Sequence, residues 1–440
     1  MDALVERLRS KLTDDTRVQA WEIRHDSSRE RQIYLIGTQL ESEREARVES
    51  VSVTVHLRRD GKQGQSRVTF NPGEEPEIDQ RLHDAIYMAG LGGDEPYDLA
   101  GLSELPRVQL ADPSLTGDQL IAGSRELADR WRAAAARLKG ARPSSGEIFC
   151  GPTTTRLLTS AGFDGRMEAT RILVQSIVIA SGHGRETERI SWEEARRSSD
   201  LDLAAILEQA AEEAKDLTRA ELPPTGPMAV VILADEMTKL FSPITESSSA
   251  EGIYQKSTRL ELGQLLPGLV LADGDPLVLS SNATEDFALG SYAFDGDGVA
   301  GRRVEVVRDG VFTRPWAGQR YAQYTQSQAT GAFANLEIAP GKRSLEELLG
   351  DGPVLEVRSF SWLSPDSSRG DFSIEIRLGY LHSGGGGGGS RERRAVKGGS
   401  VSGNLYEALG TARFSKETTR RGAYLGPVAV RLETCRVTGS

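Results

Sequence analysis

The sequence predicts an α+β fold, with a mixed helix/strand N-terminal domain and a β-rich C-terminal domain. The length of 440 residues exceeds what one hydrophobic core usually fills, so we expect two domains. The 47 glycines lie among short strand patterns, which is typical of a sheet-rich fold with many tight turns. The Pro- and Gly-rich run at 223–227 interrupts the helix and strand patterns. We place the boundary there, which predicts domains at residues 1–222 and 223–440.

Hydrophobic spacing predicts the elements of the first domain. Apolar residues at helical spacing predict helices at residues 4–12, 78–89, 118–138 and 201–217. Alternation of apolar and polar residues predicts strands at residues 18–24, 32–38, 49–57, 64–70, 146–150, 153–159 and 170–180. The clearest hairpin turns at Asp60-Gly61, between the third and fourth of these strands. The run 143–146, Pro-Ser-Ser-Gly, predicts a loop.

The second domain is predicted to consist mostly of strands and turns. It opens with a continuous apolar strand at 228–234 and a short helix at 235–241. Further strand patterns occupy residues 277–280, 302–307, 353–360, 372–378 and 428–437, and two short helical patterns occupy residues 344–349 and 404–409. The segment 383–390 contains six consecutive glycines, which predict a flexible hairpin tip.

Charge and composition exclude several classes of function. The formal net charge is −11, which disfavours nucleic acid and anionic membrane surfaces as partners. No run approaches the ~18 apolar residues of a membrane span, and the first residues do not resemble a secretion signal. Cys150 and Cys435 are too few for a disulfide framework, and we expect both to be small core residues. We therefore expect a cytoplasmic protein that binds neither nucleic acid nor membrane.

Familiar catalytic motifs are absent from the sequence. Residues 296–301 spell G-x-G-x-x-G, but a strand pattern follows where dinucleotide binding requires a helix, so we predict a tight turn. There is no G-x-S-x-G nucleophile motif and no G-x-x-x-x-G-K-[ST] phosphate loop. None of the five histidines lies within four residues of another, which excludes a helical pair of metal ligands.

Most carboxylates are interpreted as a solvated surface. Glu193-Glu194 and Glu212-Glu213 are assigned to helical stretches without a catalytic role. Asp235-Glu236 differs in placement, because it stands where an apolar strand ends and a helix begins, a position from which side chains reach a cleft. Its simplest interpretation is an N-cap followed by a first-turn acid, which the helix dipole favours. The residues alone therefore give no complete active site.

Several blocks, taken in order, resemble the TldD/PmbA family of metalloprotease-related proteins. These blocks are residues 227–236, 254–258, 294–299, 329–331, 369–373 and 401–405. The hairpin at 51–70 and the helix after it are similar to that family's first domain. The resemblance extends over nearly the whole chain, and it rests on the order and spacing of the blocks together.

The resemblance implies that a metal motif has been lost from this chain. Catalytic subunits of the family carry His-Glu-x-x-x-His on the helix after the apolar strand, where two histidines bind zinc and the glutamate acts as general base. Asp235, Glu236 and Leu240 occupy the three motif positions here. A later cysteine supplies a third ligand in those subunits; its position falls near Leu425, and Cys435 comes too late. Without imidazole or thiolate, these residues make a poor zinc site.

The chain therefore resembles the PmbA (TldE) type, the non-catalytic subunit that pairs with a zinc-bearing TldD-type subunit. The resemblance implies a heterodimer that cleaves unfolded or ribosomally made peptides. It also implies no catalytic residue, metal ligand or cofactor in this chain, with zinc in the partner subunit. The sequence does not indicate which residues bind the peptide.

Two other hypotheses stay open. The chain could be a peptide-binding homodimeric escort protein without protease activity. It could also be an enzyme of unrelated chemistry on the same fold, since fold does not fix function. Asp235 and Glu236 would then be the first candidates for its catalytic residues.

Overall fold

The computed structural model describes residues 2–350, 352–383 and 392–439, and it confirms the α+β class. The hairpin tip predicted at 383–390 lies, beyond Ser383, outside the described residues. None of the helices in the described ranges has the length and apolar character needed to cross a membrane.

The N-terminal half forms one antiparallel sheet covered by helices. Its strands are β1 (Ala20–Ile36), β2 (Gln39–Arg59), β3 (Lys62–Phe70), β4 (Arg142–Thr159), β5 (Asp164–Gly182) and β6 (Arg185–Ala195), in the order β3-β2-β1-β4-β5-β6. Its helices are α1 (Asp2–Asp14), α2 (Ile78–Ala89), α3 (Leu120–Ala135) and α4 (Leu203–Leu217). Buried residues alternate along the strands, so one face of the sheet packs against the apolar stripes of the helices.

Two pairs of predicted short strands are in fact single long strands. The patterns at 18–24 and 32–38 belong to β1, and those at 146–150 and 153–159 belong to β4. The loop predicted at 143–146 is wrong, because these residues also pair within β4, with a register shift after Pro143. The polar middle of β1 is held by pairing on both sides and by ion pairs such as Arg29 Nε to Glu45 Oε1 at 2.9 Å.

The C-terminal half contains two further sheets around a shared core. Its strands are β7 (Gly226–Leu233), β8 (Leu279–Asn282), β9 (Arg303–Arg308), β10 (Val311–Phe312), β11 (Asn335–Ile338), β12 (Val354–Phe360), β13 (Asp371–Ser383), β14 (Glu392–Val396), β15 (Ser400–Asn404), β16 (Arg413–Phe414), β17 (Thr418–Arg421), β18 (Tyr424–Pro427) and β19 (Ala429–Thr438). Its short helices are α5 (Met237–Leu240), α6 (Ser242–Ser247), α7 (Ala250–Tyr254), α8 (Gln319–Tyr324), α9 (Leu345–Leu349) and α10 (Leu405–Ala408). The predicted β-rich character of this half is confirmed.

Strand β7 lies inside the larger C-terminal sheet. One sheet runs β10-β9-β8-β11-β18-β17, and the other runs β12-β7-β19-β15-β13-β14, with β16 paired to β19. Strand β7 is fully apolar at its end and pairs with β12 in parallel and with β19 antiparallel. The strands of the first sheet precede residue 196 and those of the other two follow residue 225. The division into domains 1–222 and 223–440 stays a prediction.

A buried ion triad joins the two halves of the chain. Glu213 on α4, whose side chain is 5% exposed, accepts a hydrogen bond from Arg189 Nε of β6 at 2.6 Å. It also accepts one from Arg358 Nη2 of β12 at 2.9 Å. Burial raises the pKa of Glu213, but the two guanidiniums outweigh burial and hold that pKa below its usual range. Glu213 is thus ionised and ties α4 to a strand on each side of the boundary.

We expect Glu213→Gln to lower the free energy of unfolding at neutral pH by about 3 kcal/mol, because two partly buried guanidiniums lose their counter-charge. Urea unfolding at pH 7 measures this change. The matched control is Glu212→Gln, an exposed neighbour on the same helix paired with Lys215, whose cost should stay within about 0.5 kcal/mol. Equal stability of the two variants would contradict the triad's role.

The same triad predicts a dependence of stability on pH. Because the folded pKa of Glu213 lies below the unfolded value near 4.5, its contribution is fully present above that value and is lost as the pH falls through the folded pKa. The difference in unfolding free energy between the natural chain and Glu213→Gln should therefore shrink in acid. Unfolding curves recorded from pH 7 down to pH 3 check this, and a difference that grows in acid would contradict it.

Candidate functional site

A cleft of about 1230 Å³ lies between the two halves of the chain. On the N-terminal side it is walled by β6 and α4, and on the C-terminal side by the turn after β7, the end of β12 and the β17–β18 turn. Strand β7 is followed by a single 3₁₀ turn, Ala234–Glu236, and then by α5. The apolar strand β7 thus leads to the first two predicted motif positions, Asp235 and Glu236, at the cleft.

Strand β6 presents an edge of the first sheet to this cleft. In the described part of the chain the sheet ends at β6, which pairs with β5 alone. Every residue of the range 188–194 lines the cleft. Ile190 and Trp192 point away from the helices and are 36% and 59% exposed. An unpaired strand edge with exposed apolar side chains can receive another strand.

The three predicted motif positions separate in the structure. Asp235 and Glu236 both line the cleft, as their placement after a buried strand predicts. Leu240 is fully buried and packs in the C-terminal core with Met237 and Phe241. The structure therefore brings two of the three positions to the cleft and turns the third into the core.

Glu236 is held by a neighbour on the same turn. Its side chain is 8% exposed and accepts a hydrogen bond from Lys239 Nζ at 3.1 Å. Burial raises the pKa of Glu236, and Lys239 and the backbone of Phe360 offset only part of that effect. The carboxyl group is thus already bound within its own helical turn.

Arg421, the last residue of β17, contacts two carboxylates at the cleft. Its Nη1 donates to Glu193 Oε2 at 2.7 Å, and its Nε lies 3.5 Å from Asp235 Oδ1. Burial raises the pKa of Glu193, while Arg421 opposes that rise. The assignment of Glu193-Glu194 to a helix is wrong, because both residues lie on β6 and line the cleft.

The predicted cysteine position lies beside the turn that carries Asp235. Leu425 is on β18, and this strand packs against the turn Ala234–Glu236. Cys435, in contrast, pairs with Met228 at the opposite end of β7. It is buried in the core, as is Cys150 on β4, and burial raises the pKa of each thiol to about 12. Both cysteines are confirmed as core residues.

The residues at the motif positions do not fit a zinc ion. Leu240 has no donor atom, and the carboxylates of Asp235 and Glu236 already face cations. Among the residues that the structure describes, no histidine lines the cleft, and His25, His56 and His382 each bond a glutamate elsewhere. Across the described ranges, no three His, Cys, Asp or Glu side chains are grouped as metal ligands would be.

The G-x-G-x-x-G sequence at 296–301 forms the predicted tight turn. Phe294 bridges to Ala300, and the Asp295 carboxylate accepts the backbone N–H groups of Asp297 and Val299 at 2.9 Å. Gly298 has a φ of +84°, which favours glycine. Strand β9 follows instead of a helix, so the turn has no helix N-terminus to face a phosphate.

Sequence reasoning missed the ion pairs that line this cleft. The sequence assigns Glu213 to a helical stretch without a catalytic role; it does lie on α4, but it is buried between Arg189 and Arg358. These residues come from three elements that are distant in sequence, and none belongs to a local motif. Only the packing of β6, α4 and β12 brings their charges together.

Two family models and one curated relative match this chain. Residues 225–439 match the family described as PmbA/TldA metallopeptidase C-terminal domain, and residues 116–218 match the PmbA/TldA metallopeptidase central domain. A relative from Escherichia coli O157:H7, described as Metalloprotease PmbA, is 28% identical over 220 residues. That alignment spans 47% of this chain and 46% of the relative, about half of each.

Solved structures share the fold over nearly the whole chain. A Thermotoga maritima protein described as a proposed modulator of a DNA gyrase superposes with a TM-score of 0.82 at 20% identity, covering 99% of this chain and all of that one. TldE from Thermococcus kodakarensis gives a TM-score of 0.81 at 18% identity, with 99% of each chain covered. The two matched domains together span well over half of the sequence, and the chain belongs to the TldD/PmbA family.

Proposed function

We propose that this chain is the non-catalytic subunit of a TldD/TldE-type metal-dependent peptidase. It pairs with a zinc-bearing subunit, and the pair cleaves unfolded or ribosomally made peptides. The observation that carries the proposal is the state of the motif positions: Asp235 faces Arg421, Glu236 is bound by Lys239, and Leu240 is in the core. A glutamate without a metal-bound water has no water of lowered pKa to deprotonate.

The names of two relatives support the proposed pairing. The Escherichia coli relative is described as a metalloprotease, and one structural neighbour is a TldE. A chain of this family with unsuitable metal positions needs a second subunit to supply zinc. The cleft remains large in this chain, which supports a role in holding the substrate.

We further propose that the subunit holds an extended peptide by strand addition to β6. The unpaired edge of this strand lines the cleft along the whole range 188–194. Main-chain hydrogen bonds to such an edge bind peptides of many sequences, which suits a peptidase for unfolded substrates. Exposed Ile190 and Trp192 add apolar contact beside the edge.

We expect the purified chain to cleave no peptide alone and to support cleavage once a TldD-type subunit is added. Glu236→Gln should change the activity of the pair by no more than about threefold, because removing a true general base costs 10²-fold or more. Release of a fluorogenic group from an unfolded peptide measures both. The matched control is the corresponding Glu→Gln change in the zinc subunit, which should abolish cleavage.

Cleavage by this chain alone, lost in Glu236→Gln, would contradict the non-catalytic role and favour an enzyme with its own chemistry. Absence of cleavage with the partner, combined with peptide binding by this chain as a homodimer, would favour the escort protein.

We expect N-methylation of single peptide bonds in a bound peptide to weaken binding at alternate positions. Only every second N–H of an added strand faces the β6 edge, so the losses should recur with a period of two. Fluorescence anisotropy with a labelled peptide and its singly methylated variants measures the pattern. Equal losses at all positions, or none, would contradict strand addition.

A further inference from the structure

The cleft has the opposite charge from the protein as a whole. Eight arginine and lysine residues line it against six aspartates and glutamates, although the chain carries a formal net charge of −11. An excess of one sign of charge along a cleft raises the local concentration of ligands of the other sign. The excess of cations therefore needs an explanation in terms of what enters the cleft.

The excess comes from four of these residues, which we call the cationic end of the cleft: Arg189, Arg358, Arg377 and Lys397. Two of these guanidiniums share the single carboxylate of Glu213. The next carboxylate, Glu356, is 3.8 Å from Arg358 and is bonded by His382 Nε2 at 2.8 Å.

The other two cations are exposed. Arg377 Nη2 lies 3.6 Å from Glu375 Oε2, and both side chains are about half exposed. An exposed pair of this kind is weak and costs little to break. Lys397 forms no ion pair with any described residue. Both side chains are thus available to a ligand.

Backbone pairing fixes these cations as neighbours. Strand β12, which carries Arg358, pairs with β13 through Phe360 and Ile376. The backbone N–H of Gly398 donates to the carbonyl of Ile376 at 2.8 Å, which places Lys397 beside the strand of Arg377. Arg189 of β6 lines the same cleft, and its Nη1 lies 3.4 Å from Ser359 Oγ of β12. A peptide added to β6 would therefore pass along the cationic end.

We propose that the cationic end binds carboxylates of the substrate, so that this subunit selects acidic unfolded peptides. The inference rests on the proposed peptide-holding function and names its substrate class. Planar guanidiniums bind carboxylates through paired hydrogen bonds, and lysine adds a mobile charge. The carboxylates come from aspartate and glutamate side chains or from the peptide's C-terminus.

The test measures binding of labelled peptides to the full chain alone by fluorescence anisotropy. The probes are an unstructured Glu-rich peptide and its Gln counterpart, each with a free or an amidated C-terminus. We expect the Glu-rich peptide to bind about tenfold more tightly at low salt, with the advantage falling at high salt. Weaker binding of the Gln counterpart would show that side-chain carboxylates are recognised. Weaker binding of the amidated peptide would show that the C-terminal carboxylate is recognised. Affinities independent of both would overturn the proposal.

A double variant, Arg377→Gln with Lys397→Gln, should weaken the Glu-rich peptide about fivefold, as expected for two exposed charge pairs. The matched control, Arg59→Gln with Lys62→Gln, changes net charge equally at the exposed β2–β3 turn and should stay within about twofold. Equal losses in both variants would reduce the effect to overall charge and overturn the proposal. This binding assay contains no partner subunit, so it tests the selectivity separately from the peptidase role. If the chain prefers the Glu-rich peptide but the paired assay shows no cleavage, only the proposed peptidase role is overturned.

Discussion

The geometry of the cleft depends on one buried carboxylate, that of Glu213, which faces guanidiniums from both halves of the chain. Removing a charge from water costs several kcal/mol, and only well-placed partners offset that cost. Arg189 and Arg358 meet this requirement at 2.6 and 2.9 Å. Because each partner lies on a different sheet, the electrostatic requirement of Glu213 also sets the distance between the walls. The edge strand β6 is thus held facing the C-terminal domain.

Ion pairs also hold the carboxylates of Asp235 and Glu236 at the cleft. Arg421 faces Asp235 and Glu193, and Lys239 faces Glu236, so each carboxylate at the motif positions already has a cation. Both carboxylates at the motif positions thus contact protein cations. Among the described residues the cleft has an unpaired strand edge beside these ion pairs. This combination suits a subunit that binds a substrate for another subunit to cleave.

Much of the fold follows from local sequence patterns. The hairpin at Asp60-Gly61, the apolar strand β7 and the tight turn at 296–301 are specified by neighbouring residues, and each is confirmed. The long strand β1 is not, because its polar middle is stable only through pairing with β2 and β4. Because Asp235 and Glu236 directly follow a buried strand, the sequence predicts that they reach a cleft, and the structure confirms it. The ion triad of Glu213 could not be predicted from the sequence, because its three residues are distant in sequence and show no periodic pattern.

The central claim, that the motif positions no longer form a zinc site, is tested most directly by titrating the purified chain with Zn²⁺ against a chromophoric chelator. The ion pairs at Asp235 and Glu236 and the buried Leu240 predict only weak binding, unchanged by Glu236→Gln. One tight equivalent of zinc, lost in Asp235→Asn or Glu236→Gln, would contradict the claim. It would show that these carboxylates leave their cations to bind metal.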